Sequence, residues 1–313
     1  MASFTKTLFQ IVGDIKTRFT KKQIIIAMCV PTVPALVLLL SIFAIYHKAR
    51  NPVIHSPRDI TSELLRDIEE NNLDSLTFDY IFTDCPEFGG ELLGGKVKDL
   101  FASPIPWKEW VNLRKYTNPF MRVNESKPIK RIDFEIKFTK SVETLNCAFI
   151  NFEELQYVNI KDVSNIHSAR SMFENAIRFN GPLDHWDTSN MRDMSYMFRD
   201  ALSFNQPIGS WNTSKVRSMM GMFEKAKSFN QPIGKWDTSL VQDMSDMFSN
   251  AISFNQPIDN WNTSQVTNME GMFYNAKSFN QPVGNWDTSK ATNLQYMFLG
   301  ADSYSHPKPE GAP

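Results

Sequence analysis

Cysteine is nearly absent from this chain: three in 313 residues, with no Cys-x-x-Cys pair. That excludes a disulfide scaffold, a four-cysteine zinc site and a thioredoxin-like motif. Histidine is scarce as well. His47, His55, His167, His185 and His306 do not recur at a fixed interval and have no suggestive nucleophile beside them. No catalytic, cofactor-binding or metal-binding set is expected, and the chain reads as a non-enzyme. Neither sign of charge is in excess, with a net charge of -1 and a pI of 6.5. Nucleic-acid binders usually carry basic clusters and a pI above about 9, so no nucleic-acid partner is expected.

Long uncharged runs are missing too, with one exception. Ile24 to Tyr46 is 23 residues without a charge, which as a helix extends about 34 Å against a hydrocarbon core of about 30 Å. This predicts a single transmembrane helix over 23–46, with Pro31 and Pro34 near its start. Lys6, Lys16, Arg18, Lys21 and Lys22 precede it, while Lys48, Arg50 and Arg58 follow. The positive-inside bias then puts the amino terminus in the cytoplasm and the rest of the chain at the cell surface. A cleaved signal is the competing reading. It needs an apolar region of about 7–15 residues ending in small-x-small, and Ile42-Phe43-Ala44 is a poor match. Phe4, Leu8, Ile11, Ile15 and Phe19 fit an amphipathic helix on the inner membrane surface over 1–22, with a disordered tail as the alternative.

Residues 47–142 read as a stalk or cap without internal repeats. A helix is expected near Asp59 to Glu70, and Ile132, Phe134, Ile136 and Phe138 alternate with Asp133, Glu135 and Lys137, the period of a half-buried strand. Cys85 and Cys147 leave two possibilities open, one bridge or two buried free thiols.

From 143 to 304 the chain repeats itself. Phe179, Phe204, Phe229, Phe254 and Phe279 are spaced by 25 residues, as are Trp186, Trp211, Trp236, Trp261 and Trp286. Such a period marks a solenoid. Val216, Met219, Phe223 and Ala226 lie at i, i+3, i+7 and i+10, which predicts a helix in each unit capped by Thr213 and Ser214. Phe229 to Trp236 contains Pro and Gly and reads as a turn into a short strand. Asp187, Asn212, Asp237, Asn262 and Asp287 share one position, pointing to Asx-turn chemistry. Asn205, Asn230, Asn255 and Asn280 never exchange, which predicts an asparagine ladder between coils. Residues 305–313 read as a disordered tail.

The run Phe-Asn-Gln-Pro-Ile-Gly-x-Trp-Asp/Asn-Thr-Ser-x-Val-x-x-Met-x-x-Met-Phe, over about Asp162 to Phe298, resembles the 25-residue repeat of BspA-like surface proteins. The resemblance implies a leucine-rich-repeat-like α/β solenoid, one helix and one short strand per coil, with an adhesion or interaction role. The combined expectation is a membrane-anchored binding module whose spine is those ten Phe and Trp residues.

Its contact stripe is taken as His185, Ser210, Lys235, Asn260 and Asn285, the varying position before each Trp. A protein or surface glycan is the expected ligand, membrane lipid is met through the anchor, and no cofactor is expected. The alternative is a spacer or scaffold that displays a sensor or enzymatic element in residues 51–150. Asn124-Glu125-Ser126, Asn212-Thr213-Ser214 and Asn262-Thr263-Ser264 match the N-glycosylation pattern, relevant only in a eukaryotic secretory route.

Overall fold

A 25-residue unit holding one Trp and two Phe cannot cover its own rings; it must lie against another unit. The computed structural model describes residues 51–54, 62–70, 73–78 and 128–313, and over 143–304 it shows such stacking. The elements in chain order are β1 (Val53–Ile54), α1 (Ser62–Glu69), β2 (Ser75–Phe78), β3 (Arg131–Phe138) and β4 (Tyr157–Ile160). The chain divides into two compact units. Of the smaller, residues 51–52 and 73–75 are described; there Ser75 Oγ donates to Asn51 Oδ1 at 2.7 Å. The larger holds the remaining described residues.

The strands form one sheet in the order β1-β2-β3-β4, with β1 parallel to β2 and β3 parallel to β4. In β3 the expected alternation is present: Ile132, Phe134 and Ile136 are buried while Arg131, Asp133 and Lys137 are exposed. The first coils follow from this sheet, as Tyr157–Ile160 lies between Phe152 and Val163, both buried.

Each coil is a succession of tight turns. In one unit Val216 N donates to Thr213 O (2.9 Å), Met222 N to Met219 O (3.1 Å), Ala226 N to Phe223 O (3.0 Å), Phe229 N to Ala226 O (3.1 Å) and Trp236 N to Ile233 O (3.1 Å). Gly221 and Lys225 have φ of 58° and 57°. An i→i+3 bond with positive φ at the third residue is the signature of a type II turn.

The other N–H groups leave the coil. Met219, Gly221, Phe223 and Lys225 donate to Asp243, Ser245, Met247 and Ser249 of the next coil at 2.7–3.0 Å. Isolated parallel bridges run from Thr144 through Ser168, Asp193, Ser218, Asp243 and Asn268 to Asn293. Coil-to-coil bonds thus replace the i→i+4 bonds of a helix.

This overturns the expected fold class: the coil contains neither a helix nor a strand at Trp236. The helical reading failed because a chain of three-residue turns also brings every third or fourth side chain inward. Val216, Met219, Met222, Phe223, Ala226, Phe229, Ile233 and Trp236 all point into the core and are at most 4% exposed. Thr213, expected as a helix cap, instead donates its hydroxyl to Asp237 O at 2.9 Å.

The membrane topology is corrected as well. Among the described residues no helix is long and apolar enough to cross a membrane. α1 has 8 residues, so it is about 12 Å long. Single-pass anchoring, and the localisation that depended on it, are withdrawn. The segments at 1–22 and 23–46, Cys85 and Asn124 lie outside the described residues. Cys147 is disulfide-bonded, which removes the free-thiol alternative for that residue.

Residues 304–313 lie along the last coil. Tyr304 stacks on Phe279 at 5.9 Å, Ser305 N donates to Asn280 Oδ1, and Thr288 Oγ1 donates to Glu310 O. They form part of one further coil.

Candidate binding surface

The inward positions are committed to stacking. Phe179, Phe204, Phe229, Phe254 and Phe279 form one column with centroids 6.0–6.1 Å apart. Trp186, Trp211, Trp236, Trp261 and Trp286 form another at 6.1–6.4 Å, their rings nearly parallel. Offset stacking operates over this range. A buried indole N–H needs an acceptor, and Trp236 Nε1 finds Ile208 O at 3.1 Å. These ten residues cannot touch a ligand.

Most of the amides are spent similarly. Asn230 Oδ1 accepts from Asn255 N (2.9 Å) and Gln256 Nε2 (3.0 Å), and the same pair of bonds recurs at Asn205 and Asn255. The expected asparagine ladder is therefore present. The Asx turns are present too, with Asp237 Oδ1 accepting from Ser239 N at 3.0 Å. Hydrogen bonds from the hydroxyls of Ser189, Ser239 and Ser289, and then from their backbone N–H groups, hold the carboxyls of Asp187, Asp237 and Asp287 below the usual range.

His185, Ser210, Lys235, Asn260 and Asn285 are all exposed. Each precedes a Trp of the stacked column, so they follow one another coil by coil. His185 Nε2 lies 2.9 Å from Ile160 O and Ser210 Oγ donates to Asp184 O at 3.3 Å.

A second surface lies along the parallel ladder, and the sequence reading passed over it. Tyr196 is bracketed by two guanidinium groups, Arg170 at 5.5 Å and Arg199 at 5.0 Å from its ring centroid. Cation–π attraction favours this arrangement. The ring lies over Gly221, where a Cβ would come within 2.4 Å of it. Only glycine leaves that space open.

Arg199 Nη2 pairs with Glu174 at 3.2 Å. Its Nε, buried and without a hydrogen bond, faces Glu224 at 3.8 Å and Asp200 at 3.9 Å. Lys225 reaches Glu224 and Asp200 at 3.4 and 3.5 Å. Burial raises the Tyr196 hydroxyl pKa against the opposing pull of the two arginines.

Further along, the face turns acidic. Asp246 is pushed up to about 6, first by burial and then by Glu224, Glu270 and Asp243, with Arg199 opposing. Its Oδ1 occupies the space that a Cβ on Gly271 would need. Among the described residues no group of His, Cys, Asp and Glu is arranged to hold a metal ion. The surface thus passes from a basic, aromatic patch to an acidic one within a few coils. One sequence signal marked it: Ser171, Tyr196, Gly221, Asp246, Gly271 and Tyr296 occupy one repeat position and share no chemistry.

A protein-family model described as "Mycoplasma protein of unknown function, DUF285" matches residues 143–239 and 209–310. The chain belongs to this family. The two matches cover the coils from the first bridge residue, Thr144, to the residues folded over the last coil. No curated protein matches the chain, and no solved structure does. The DUF285 repeat of this chain is therefore the turn-and-bridge coil described above.

Proposed function

We propose that this protein is a non-catalytic binding module whose ligand, a protein carrying both signs of charge, docks on the ladder face between Arg170 and Glu270. The observation that supports this reading is Tyr196, held between Arg170 and Arg199 over Gly221. Tyr and Arg are the residues most often found at the energetic centres of interfaces. The rings and backbone ladders stack the coils through other residues, and the charges of this face, paired with one another from coil to coil, differ at each layer. The likeness of the repeat to BspA-like proteins, whose implied role is interaction, favours the same reading.

The test compares the wild-type chain with Arg170→Ala/Tyr196→Asn/Arg199→Ala, immobilised and exposed to a protein extract and to a glycan array at low and high salt. Asparagine tolerates the positive φ at position 196. The expected result is protein capture that weakens by about tenfold or more in the variant and falls with salt. Unchanged capture by a folded variant sinks the reading in favour of a spacer. Loss of glycan binding alone assigns the face to carbohydrate.

A further inference from the structure

We infer, resting on the reading of the ladder face as a protein-binding surface, that its partner is a second copy of this chain, docked with its stack reversed about a two-fold axis at Met220.

Arg170, Ser195, Met220, Ser245 and Glu270 form one column. Their carbonyls accept from the N–H groups of Cys147, Ser171, Tyr196, Gly221 and Asp246 in the preceding coil at 2.8–2.9 Å, so they stand in successive layers about 4.8 Å apart. In either direction the column runs charge, serine, methionine, serine, charge, and its two ends carry opposite signs. A two-fold contact sets residue i on j and j on i. Reversal about Met220 therefore sets Arg170 on Glu270 of the second copy, twice over.

Both of these end residues are partly exposed, and each is short of an opposite charge. Arg170 lies over the Tyr196 ring, and Glu270 accepts from Asn293 Nδ2 at 2.7 Å. Among the described residues neither makes an ion pair. The same reversal lays the basic, aromatic patch of Tyr196 over the acidic layers of Asp246 and Glu270.

A residue on the axis meets itself, which a charge resists and an apolar side chain favours. Met220 is the apolar member of a polar column and is partly exposed, and its flexible thioether packs readily against another. Ser195 and Ser245 are buried, so they do not hold the faces apart. Asp193 and Asp243 fall opposite one another. The exposed Arg192 lies beside Asp193, and the exposed Arg217 lies in the layer between the two aspartates. Neither arginine makes an ion pair among the described residues, so both are available to these carboxylates. Glu224 also meets itself, but each copy holds it with Arg199 and Lys225 at 3.8 and 3.4 Å. Docking with the stacks in the same direction sets Arg170 on Arg170 and Glu270 on Glu270, and like charges in contact repel.

Sedimentation velocity on the full chain should show a monomer–dimer equilibrium that weakens with salt. Arg170→Glu and Glu270→Arg should each weaken self-association by about tenfold or more, because each places like charges together at both contacts. Mixing the two variants should restore the dimer, since one copy then carries two acidic ends and the other two basic ones; this also shows that both variants fold. Met220→Cys should give a covalent dimer on mild oxidation beyond that of the wild type, as the bridge needs Cα atoms within about 7 Å. Lys235→Cys, exposed beside Trp236, should not. Three results overturn the inference: a chain that stays monomeric at about 100 µM, above the range of specific interfaces, single variants that associate like the wild type, or a mixture that fails to restore the dimer. If the chain is monomeric while Arg170→Ala/Tyr196→Asn/Arg199→Ala still loses capture from the extract, the face binds a foreign protein and only the second copy fails. If capture is unchanged as well, both readings fail.

Discussion

The inward and outward faces of the same coils obey different rules. At the inward position of Phe173, Phe198, Phe223, Phe248, Phe273 and Phe298 every coil carries the same ring, because each ring has a neighbour 5.5–5.8 Å away in the adjoining coil. A change there strands two neighbours. Three residues earlier along the chain, the position shared by Arg170, Ser195, Met220, Ser245, Glu270 and Gln295 differs from coil to coil, buried at Ser195 and Ser245 and more open at the others. The backbone bridges the coils at this position whatever the side chain. Identity between coils therefore reports stacking, and difference reports freedom to specialise.

Substitutions can break this contrast, and the largest effect belongs to the inner face. Phe223→Ala removes a fully buried ring that meets Phe198, Phe248, Phe229 and Trp236. It should cost about 3–5 kcal/mol by urea denaturation. A cost below about 1 kcal/mol would mean that the coils do not share a core.

Asn230→Ala comes next. It leaves Asn255 N and Gln256 Nε2 without their acceptor, and about 1–3 kcal/mol should be lost. Asn230→Asp, which keeps an acceptor oxygen, should recover most of it.

On the outer face the effects shrink and one reverses. Asp246 titrates at about 6 in the folded chain against 3.8 for an ordinary aspartate. The folded state holds this proton longer, so the group imposes no cost below about pH 3.8 and destabilises the fold as pH rises to about 6. Asp246→Asn should raise the melting temperature at pH 7.5 and leave it unchanged at pH 3.5. Because the carboxyl is only half buried, solvent screening limits the gain to on the order of 1 kcal/mol.

Asp187, Asp237 and Asp287 run the other way. Their lowered values contribute stability above the usual carboxylate pKa that is lost as pH falls through the lowered ones. Lys235→Ala, exposed and before Trp236, should stay within about 0.5 kcal/mol of wild type. A larger loss there would give the stripe a structural duty.

The period, the aromatic columns and the asparagine ladder could be read from residue identities because each depends on a side chain that no other type replaces. The helix could not be separated from a run of turns by spacing, since both bring residues inward at intervals of three and four. Another signal distinguished them. Asn175, Asp200, Lys225, Asn250, Asn275 and Gly300 recur at one position and have positive φ, as do Ser171, Tyr196, Gly221, Asp246, Gly271 and Tyr296 at another. Most of them, Lys225, Ser171, Tyr196 and Tyr296 apart, are the residue types that enter left-handed conformations most readily. Two such positions four residues apart rule out a helix across them.

Residues 304–313 had a signature as well. Tyr304-Ser305-His306-Pro307 stands 25 residues after Phe279-Asn280-Gln281-Pro282, a further echo of the repeat. The charged ladder face was less legible, because its meaning lies in which coils come to be neighbours: the ring of Tyr196 needs Gly221 one coil on.

Because each coil touches only the one before and the one after, the length of this molecule is an adjustable quantity. Excision of residues 240–264 would bring Gln265 to the place of Leu240 and keep Tyr196 above Gly221, and the bridge of Ser218 would pass to Asn268. The product would be shorter by one layer, about 4.8 Å, and otherwise the same object. Gene segments encoding such units can be gained or lost whole, so the reach of the protein can change without any redesign of its interior.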